Sequence, residues 1–220
     1  MNVLIVGGSS GLGLALAKEH VDLGDKVIVT GRTKPKVSFV EFKKLDLAQK
    51  NLPKVIRNFV TDLPEINRVV YAAGFYQEGR VTDLSPEQIE SMVQVAGTGL
   101  IYFMREILVK QGRLDELITI TSTSQWTPRK LEPIYNFAKA GIGHFSNAMA
   151  EDGRVGKVLV VGPAGMRTKF WDGVKRDDLD KMLDRAWVAE QTTKALKGGY
   201  KYKLIRVLRQ PARVEEAEKR

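Results

Sequence analysis

Tyr135-Asn136-Phe137-Ala138-Lys139 sets a phenol and an ammonium four residues apart, on one face of a helix. A phenol with an ordinary pKa of about 10 is a weak proton donor near neutrality. A neighbouring ammonium favours the phenolate, lowers that pKa and makes the proton available to a substrate oxygen. Taken alone, the spacing more often marks a surface tyrosine beside a solvated lysine. Ser122, at the end of an apolar run, adds a hydroxyl able to bond the same oxygen. Near the N-terminus, Gly7-Gly8-Ser9-Ser10-Gly11-Leu12-Gly13 separates an apolar run from a helical pattern. Glycines there permit a tight turn and bring backbone N–H groups close to a pyrophosphate, which an ordinary glycine-containing turn does not do. With no cysteine and only His20 and His144, the chain has no disulfide, thiolate zinc site or cysteine nucleophile, and no metal site is expected.

The elements that must position these groups are legible as alternating periods. Val3-Leu4-Ile5-Val6, Lys26–Thr30, Phe39–Leu45, Val69–Ala73, Leu117–Thr121, Lys157–Val161 and Leu204–Leu208 read as strands. Leu12, Ala15 and Leu16 take up helical spacing as far as Gly24, and Ile134 to about Ala150 forms a further helix. Ser85-Pro86-Glu87-Gln88 has the N-cap, first-turn proline and capping-box glutamine of a helix start. Leu100, Phe103, Met104, Ile107 and Leu108 then mark a core-facing face. Nearly all-apolar strands alternating with helices predict an α/β fold: a doubly wound parallel sheet of about seven strands with helices on both faces. Such sheets bind ligands at the carboxyl ends of their strands, where Ser122 falls. One domain is expected over residues 1–209, with 210–220 a charged, frayed tail.

These motifs together resemble the short-chain dehydrogenase/reductase family in its compact form, with a Rossmann-type fold, over nearly the whole chain. The glycines of the family's TGxxxGxG loop fall on Gly7, Gly11 and Gly13, YxxxK on Tyr135 and Lys139, and the catalytic serine on Ser122. The resemblance implies hydride transfer between a nicotinamide cofactor and a carbonyl or alcohol. Tyr135 would be the acid, Lys139 the group that lowers its pKa and holds the ribose, and Ser122 the group that orients the carbonyl. Cofactor contacts would come from Gly7, Ser9, Ser10, Gly11, Leu12, Gly13, Arg32, Asp46, Leu47, Ala73, Gly74, Tyr135, Lys139, Pro163 and Thr168. Phe75, Trp126, Met166 and Trp171 would line an apolar substrate pocket, and the charge-rich stretch Asp172–Asp184 would form a lid. Two departures stand out. Tyr71-Ala72-Ala73-Gly74 replaces the family's NNAG, and Gln94 replaces the asparagine that holds a water against the lysine, so Gln94 is expected in the proton relay. They motivate an alternative, an NADP(H)-binding regulatory or interaction protein with little turnover. The resemblance also suggests a homodimer or homotetramer.

Cofactor choice follows from charge. A carboxylate after the second strand would bind a ribose 2′-hydroxyl and repel a 2′-phosphate. Gly31-Arg32-Thr33-Lys34 has no acid, and a guanidinium clasps phosphate, so NADP(H) is expected, with NAD(H) the alternative. The 220 residues carry a net charge of +9. Arg32, Lys34 and Lys36 supply part of that surplus. Lys194, Lys197, Lys201, Lys203, Arg206 and Arg209 supply the rest, around a last strand read as a charge-guarded sheet edge. No aromatic-interleaved basic groove suggests nucleic acid. No stretch is read as an uninterrupted membrane span or a signal peptide, so no membrane partner and a cytoplasmic location are expected.

Overall fold

The structure, a computed structural model, describes residues 1–168 and 177–220. Its elements in chain order are β1 (Asn2–Val6), α1 (Gly11–Asp22), β2 (Lys26–Gly31), β3 (Glu41–Lys44), α2 (Leu52–Thr61), β4 (Arg68–Tyr71), α3 (Pro86–Val93), a π-helical turn (Gln94–Thr98), α4 (Gly99–Gln111), β5 (Leu114–Ile120), α5 (Pro133–Met149), β6 (Val155–Pro163), α6 (Arg185–Ala195), β7 (Tyr202–Leu208) and β8 (Arg213–Lys219). One sheet runs β3-β2-β1-β4-β5-β6-β7-β8. It is parallel through β7, and β8 returns antiparallel to β7.

Strand alternation splits the core in two. Leu4, Val6, Val69 and Tyr71 join α2, α4 and α5 on one face, while Val3, Ile5 and Val70 join α1 and α6 on the other. After β1 the chain moves outward through β2 and β3, then returns to place β4 on the other side of β1. The loops after β1 and β4 therefore part at the carboxyl edge and open a crevice between them. The capping box that starts α3 forms as expected, with Gln88 N–H donating to Ser85 Oγ at 3.3 Å and Ser85 N–H to Gln88 Oε1 at 2.8 Å.

Three expectations are corrected here. The sheet has eight strands, because residues 213–219 form β8 and are no frayed tail. Tyr202 N–H donates to the Arg220 carbonyl at 3.3 Å and Arg220 N–H to the Tyr202 carbonyl at 2.9 Å, so the charged sequence is held by backbone pairing that its composition does not reveal. Consequently β7 is an internal strand and the basic residues around it guard no edge; Lys203 is buried, with Nζ 4.4 Å from the Tyr200 ring centroid and 3.7 Å from Glu216. Finally, the run Pro86–Gln111 is long and apolar enough to cross a membrane by length and composition; half of its apolar window is buried in the fold, as in a core helix.

Candidate active site

β1 ends in Val6, and Gly7 turns away with φ +82°, a conformation only glycine adopts without strain. A side chain at Gly7 would also strike the Ala73 backbone, and one at Gly13 the Gly7 carbonyl, so the loop needs glycine on both counts. Thr30 of β2 accepts from Gly7 N–H at 3.2 Å and holds the turn. The α1 N-terminus that follows has no side-chain cap and no acid in its first turn, which leaves its N–H groups and dipole turned to the crevice. These features fit a dinucleotide pyrophosphate. The crevice, about 950 Å³, is lined there by Gly7, Ser9–Gly13, Arg32, Asp46, Leu47, Ala73 and Gly74. Arg32 is exposed and makes no ion pair among the described residues. Across the crevice, Pro163 and Thr168 complete the wall, with Thr168 packed 3.8 Å from a Cβ built on Gly11.

Ser122 follows β5, and Tyr135 and Lys139 sit one turn apart on α5; all three line the same crevice. The Ser122 hydroxyl lies close enough to the Tyr135 phenol to favour its charged form, against the larger effect of burial. Lys139 is buried, its Nζ donating to the Ile120 carbonyl at 3.0 Å and lying 5.6 Å from the Tyr135 ring centroid. Burial pushes the lysine down to about 8 and the tyrosine well above its ordinary range. In the cofactor-free fold, desolvation is the largest influence on the Tyr135 phenol, and the Lys139 ammonium donates to a backbone carbonyl.

Gln94 is also not where the family pattern suggests. Its amide Nε2 donates to the Leu47 carbonyl at 2.7 Å and the Gln49 carbonyl at 3.0 Å, tying the helix to the loop around Asp46 instead of facing Lys139. The extra methylene gives the reach to those carbonyls. The residue missed by sequence reading is Tyr71. From the end of β4 its hydroxyl donates to the Val95 carbonyl at 2.7 Å, inside the π turn, and Gly99 leaves the room for it. A tie between β4 and the middle helix is thus made by Tyr71, although Ala72 carries no amide. The signal was Tyr71 itself, a polar-tipped aromatic closing an apolar strand, with glycines at 97 and 99 in the helix facing it.

On the substrate half, Phe75 and Tyr76 pack with Leu84, Met92 and Tyr135, the Tyr76 and Tyr135 rings meeting edge-on at 5.5 Å. Trp126 lies over Gly162 and stacks on the Arg206 guanidinium at 4.7 Å, and Met166 bridges to Leu183. Trp171 and residues 172–176 of the expected lid lie outside the described residues. A polar chain runs behind Ser122: its hydroxyl donates to Ser124 Oγ at 3.2 Å, and Ser124 Oγ to Glu132 Oε2 at 2.8 Å, with Arg129 donating to Ser124 Oγ at 2.6 Å. Asn136 pins this loop to α5 through the Ser124 and Thr127 carbonyls at 2.7 and 2.8 Å. His144 is exposed on α5, whereas His20 is buried beside Asp25 at 2.9 Å and Arg68 at 3.0 Å, at the far edge of the sheet. Neither belongs to the crevice.

Comparison with known proteins agrees with this architecture. The chain is 28% identical over 173 residues to the uncharacterized oxidoreductase DltE of Bacillus subtilis, spanning 72% of this chain and 68% of that one. It is 24% identical over 193 residues to an uncharacterized oxidoreductase of Staphylococcus epidermidis, 81% and 84% of the two chains. The crystal structure of a short-chain dehydrogenase/reductase from Vibrio parahaemolyticus superposes with a TM-score of 0.77 at 26% identity, covering 93% of this chain and 98% of that one. The profile described as short chain dehydrogenase matches residues 1–179, a span that holds the glycine loop, Ser122, Tyr135 and Lys139 alike, so the chain belongs to the short chain dehydrogenase family.

Proposed function

We propose that this protein is an NADP(H)-dependent oxidoreductase acting on a small or medium-sized carbonyl or alcohol through Ser122, Tyr135 and Lys139. The observation that carries the reading is the convergence of those three side chains on one crevice with the uncapped α1 N-terminus. When bound, the dinucleotide supplies or accepts the hydride. Tyr135, kept protonated by burial, donates its phenolic proton to the carbonyl oxygen in reduction, and Ser122 hydrogen-bonds the same oxygen. Lys139, at about 8, carries its proton at neutral pH and holds the nicotinamide ribose. Arg32 receives the 2′-phosphate, which favours NADP(H) over NAD(H). The exposed Ile101 and Val109 of α4 and Phe137 of α5 offer apolar surface for a homodimer or homotetramer.

The test is NADPH consumption across a panel of aldehydes and ketones, with Tyr135→Phe alongside. Loss of the phenolic proton lowers kcat about 100-fold or more with little change in NADPH affinity. Turnover that survives in Tyr135→Phe refutes the acid role. Tight NADPH binding with no turnover of any carbonyl refutes the enzyme reading in favour of a cofactor-binding regulator.

A further inference from the structure

The substrate end of the crevice is built from arginine. Arg129, Arg209 and Arg213 line it, and Glu132 is the carboxylate among the described lining residues there. Arg129 spends its guanidinium on Thr123, Ser124 and Glu132. Arg213 is paired with Glu215 at 2.9 Å. Arg209 differs. It stands just past the end of β7, and its Nη2 is fixed by Asp178 at 2.7 Å, whereas its Nη1 is buried with no hydrogen-bond partner among the described residues. That nitrogen lies 3.8 Å from a Cβ built on Gly165, and Gly165 is itself a lining residue beside Met166. Behind the same wall, Arg206 stacks on Trp126 with its Nε likewise buried and unpartnered, and it forms no ion pair among the described residues. Each of the three lining arginines has a carboxylate partner, so the distinguishing feature of this wall is the buried Arg209 Nη1 left without an acceptor among the described residues.

A buried guanidinium N–H without an acceptor is costly, because it has given up water and gained nothing in return. One ion pair already orients Arg209, so its second nitrogen is preorganised for an oxygen that the described residues do not provide. We propose that the substrate carries an anionic oxygen group, a carboxylate or a phosphate, that accepts from Arg209 Nη1 while the reacting carbonyl lies at Tyr135 and Ser122. Arg206, behind Trp126, adds to the attraction without contact. This assignment rests on the hydride-transfer reading for the position of the carbonyl, and the experiment separates the two.

NADPH oxidation is measured with 4-carboxybenzaldehyde, its methyl ester and 4-formylphenyl phosphate. In the parent protein, kcat/KM for the carboxylate or the phosphate exceeds that of the ester by about tenfold or more, and the preferred anion identifies the group. Arg209→Gln collapses this ratio toward unity, chiefly through KM of the anion, and Arg209→Lys restores part of it. Asp178→Asn, which removes the competing carboxylate but keeps the guanidinium, preserves or raises the ratio. A parent that turns over the ester as well as both anions overturns the proposal, as does a ratio unchanged in Arg209→Gln. Equal losses of the ratio in Arg209→Gln and Asp178→Asn overturn it too, since that is the behaviour of a merely structural ion pair. Binding is read separately by calorimetric titration of 4-(hydroxymethyl)benzoate and 4-(hydroxymethyl)phenyl phosphate into the NADP+-saturated protein. At least one of the two binds about tenfold more weakly to Arg209→Gln than to the parent. That result without turnover of any aldehyde supports the anion site and refutes the hydride-transfer reading alone. Equal affinity of parent and variant for both probes refutes the anion site.

Discussion

Lys139 places two demands on one nitrogen, a bond to the Ile120 carbonyl and a charge held in a buried position. Its folded pKa of about 8 lies below the ordinary 10.5, so between those values the unfolded chain binds a proton that the folded one does not. Unfolding free energy in the cofactor-free protein therefore rises with pH across this window, the lysine contributing up to about 3 kcal/mol. Urea titrations of parent and Lys139→Met at a series of pH values check it: the parent gains stability relative to the variant from about pH 8 upward. A pH-independent difference contradicts the buried charge. Arg32 belongs to the same scale, with its proposed role at the ligand. Arg32→Ala is expected to weaken NADPH about 10-fold or more and NADH hardly at all, measured as dissociation constants by cofactor fluorescence. An unchanged NADPH to NADH ratio removes Arg32 from the 2′-phosphate site.

Between elements, the π turn is the joint that sets the middle helix against the sheet. Tyr71 Oη occupies space that an ordinary helical side chain at position 99 would need, and its bond satisfies the Val95 carbonyl at 2.7 Å. Gln94, one residue earlier, carries the same joint to the loop of Asp46 and Leu47. Two substitutions that each harm the protein should then compensate in part. Tyr71→Phe loses a buried hydrogen bond at a cost of about 1–3 kcal/mol. Gly99→Ala collides with the Tyr71 hydroxyl and costs a similar amount, but less in the Tyr71→Phe background, where that hydroxyl is gone and the Gln94 carbonyl at 3.1 Å is the tight contact left. A double-mutant cycle by chemical denaturation that proves additive contradicts this packing. The helix was legible in the sequence from its capping box and apolar spacing. The π turn was not, because it depends on a tyrosine from a strand 24 residues away.

For the molecule as a whole, the basic surplus is distributed by the sheet. Lys201 and Arg220 pair with Glu151 at 3.4 and 2.7 Å, and Lys203 approaches Glu216 of β8. β8, mostly exposed and rich in charge, is the true edge and has the composition that resists further strand addition. Ending the chain after Gln210 uncovers the apolar β7 and its backbone groups. We expect a loss of about 2 kcal/mol or more, roughly 4–8 °C in melting temperature for a chain of this size, with increased self-association. Thermal denaturation followed by circular dichroism, with light scattering, checks it; an unchanged melting temperature and a monodisperse product make β8 dispensable.

Apolar period and glycine position were enough to foretell the parallel α/β sheet, the tight glycine turn after β1 and the face shared by Tyr135 and Lys139, because each is a local property of a few consecutive residues. Charge type near β2 was enough to argue for a 2′-phosphate. Tertiary structure alone decided that residues 213–219 pair with β7, since a strand this polar has no apolar alternation and is stabilised by its neighbour's backbone. It placed the Tyr135 phenol in a buried position, where desolvation is the largest influence on its proton. It also turned Gln94 toward the Leu47 loop and left a buried Arg209 nitrogen beside Gly165 of the crevice wall with no acceptor among the described residues, outcomes that depend on which distant groups the fold brings within hydrogen-bond reach.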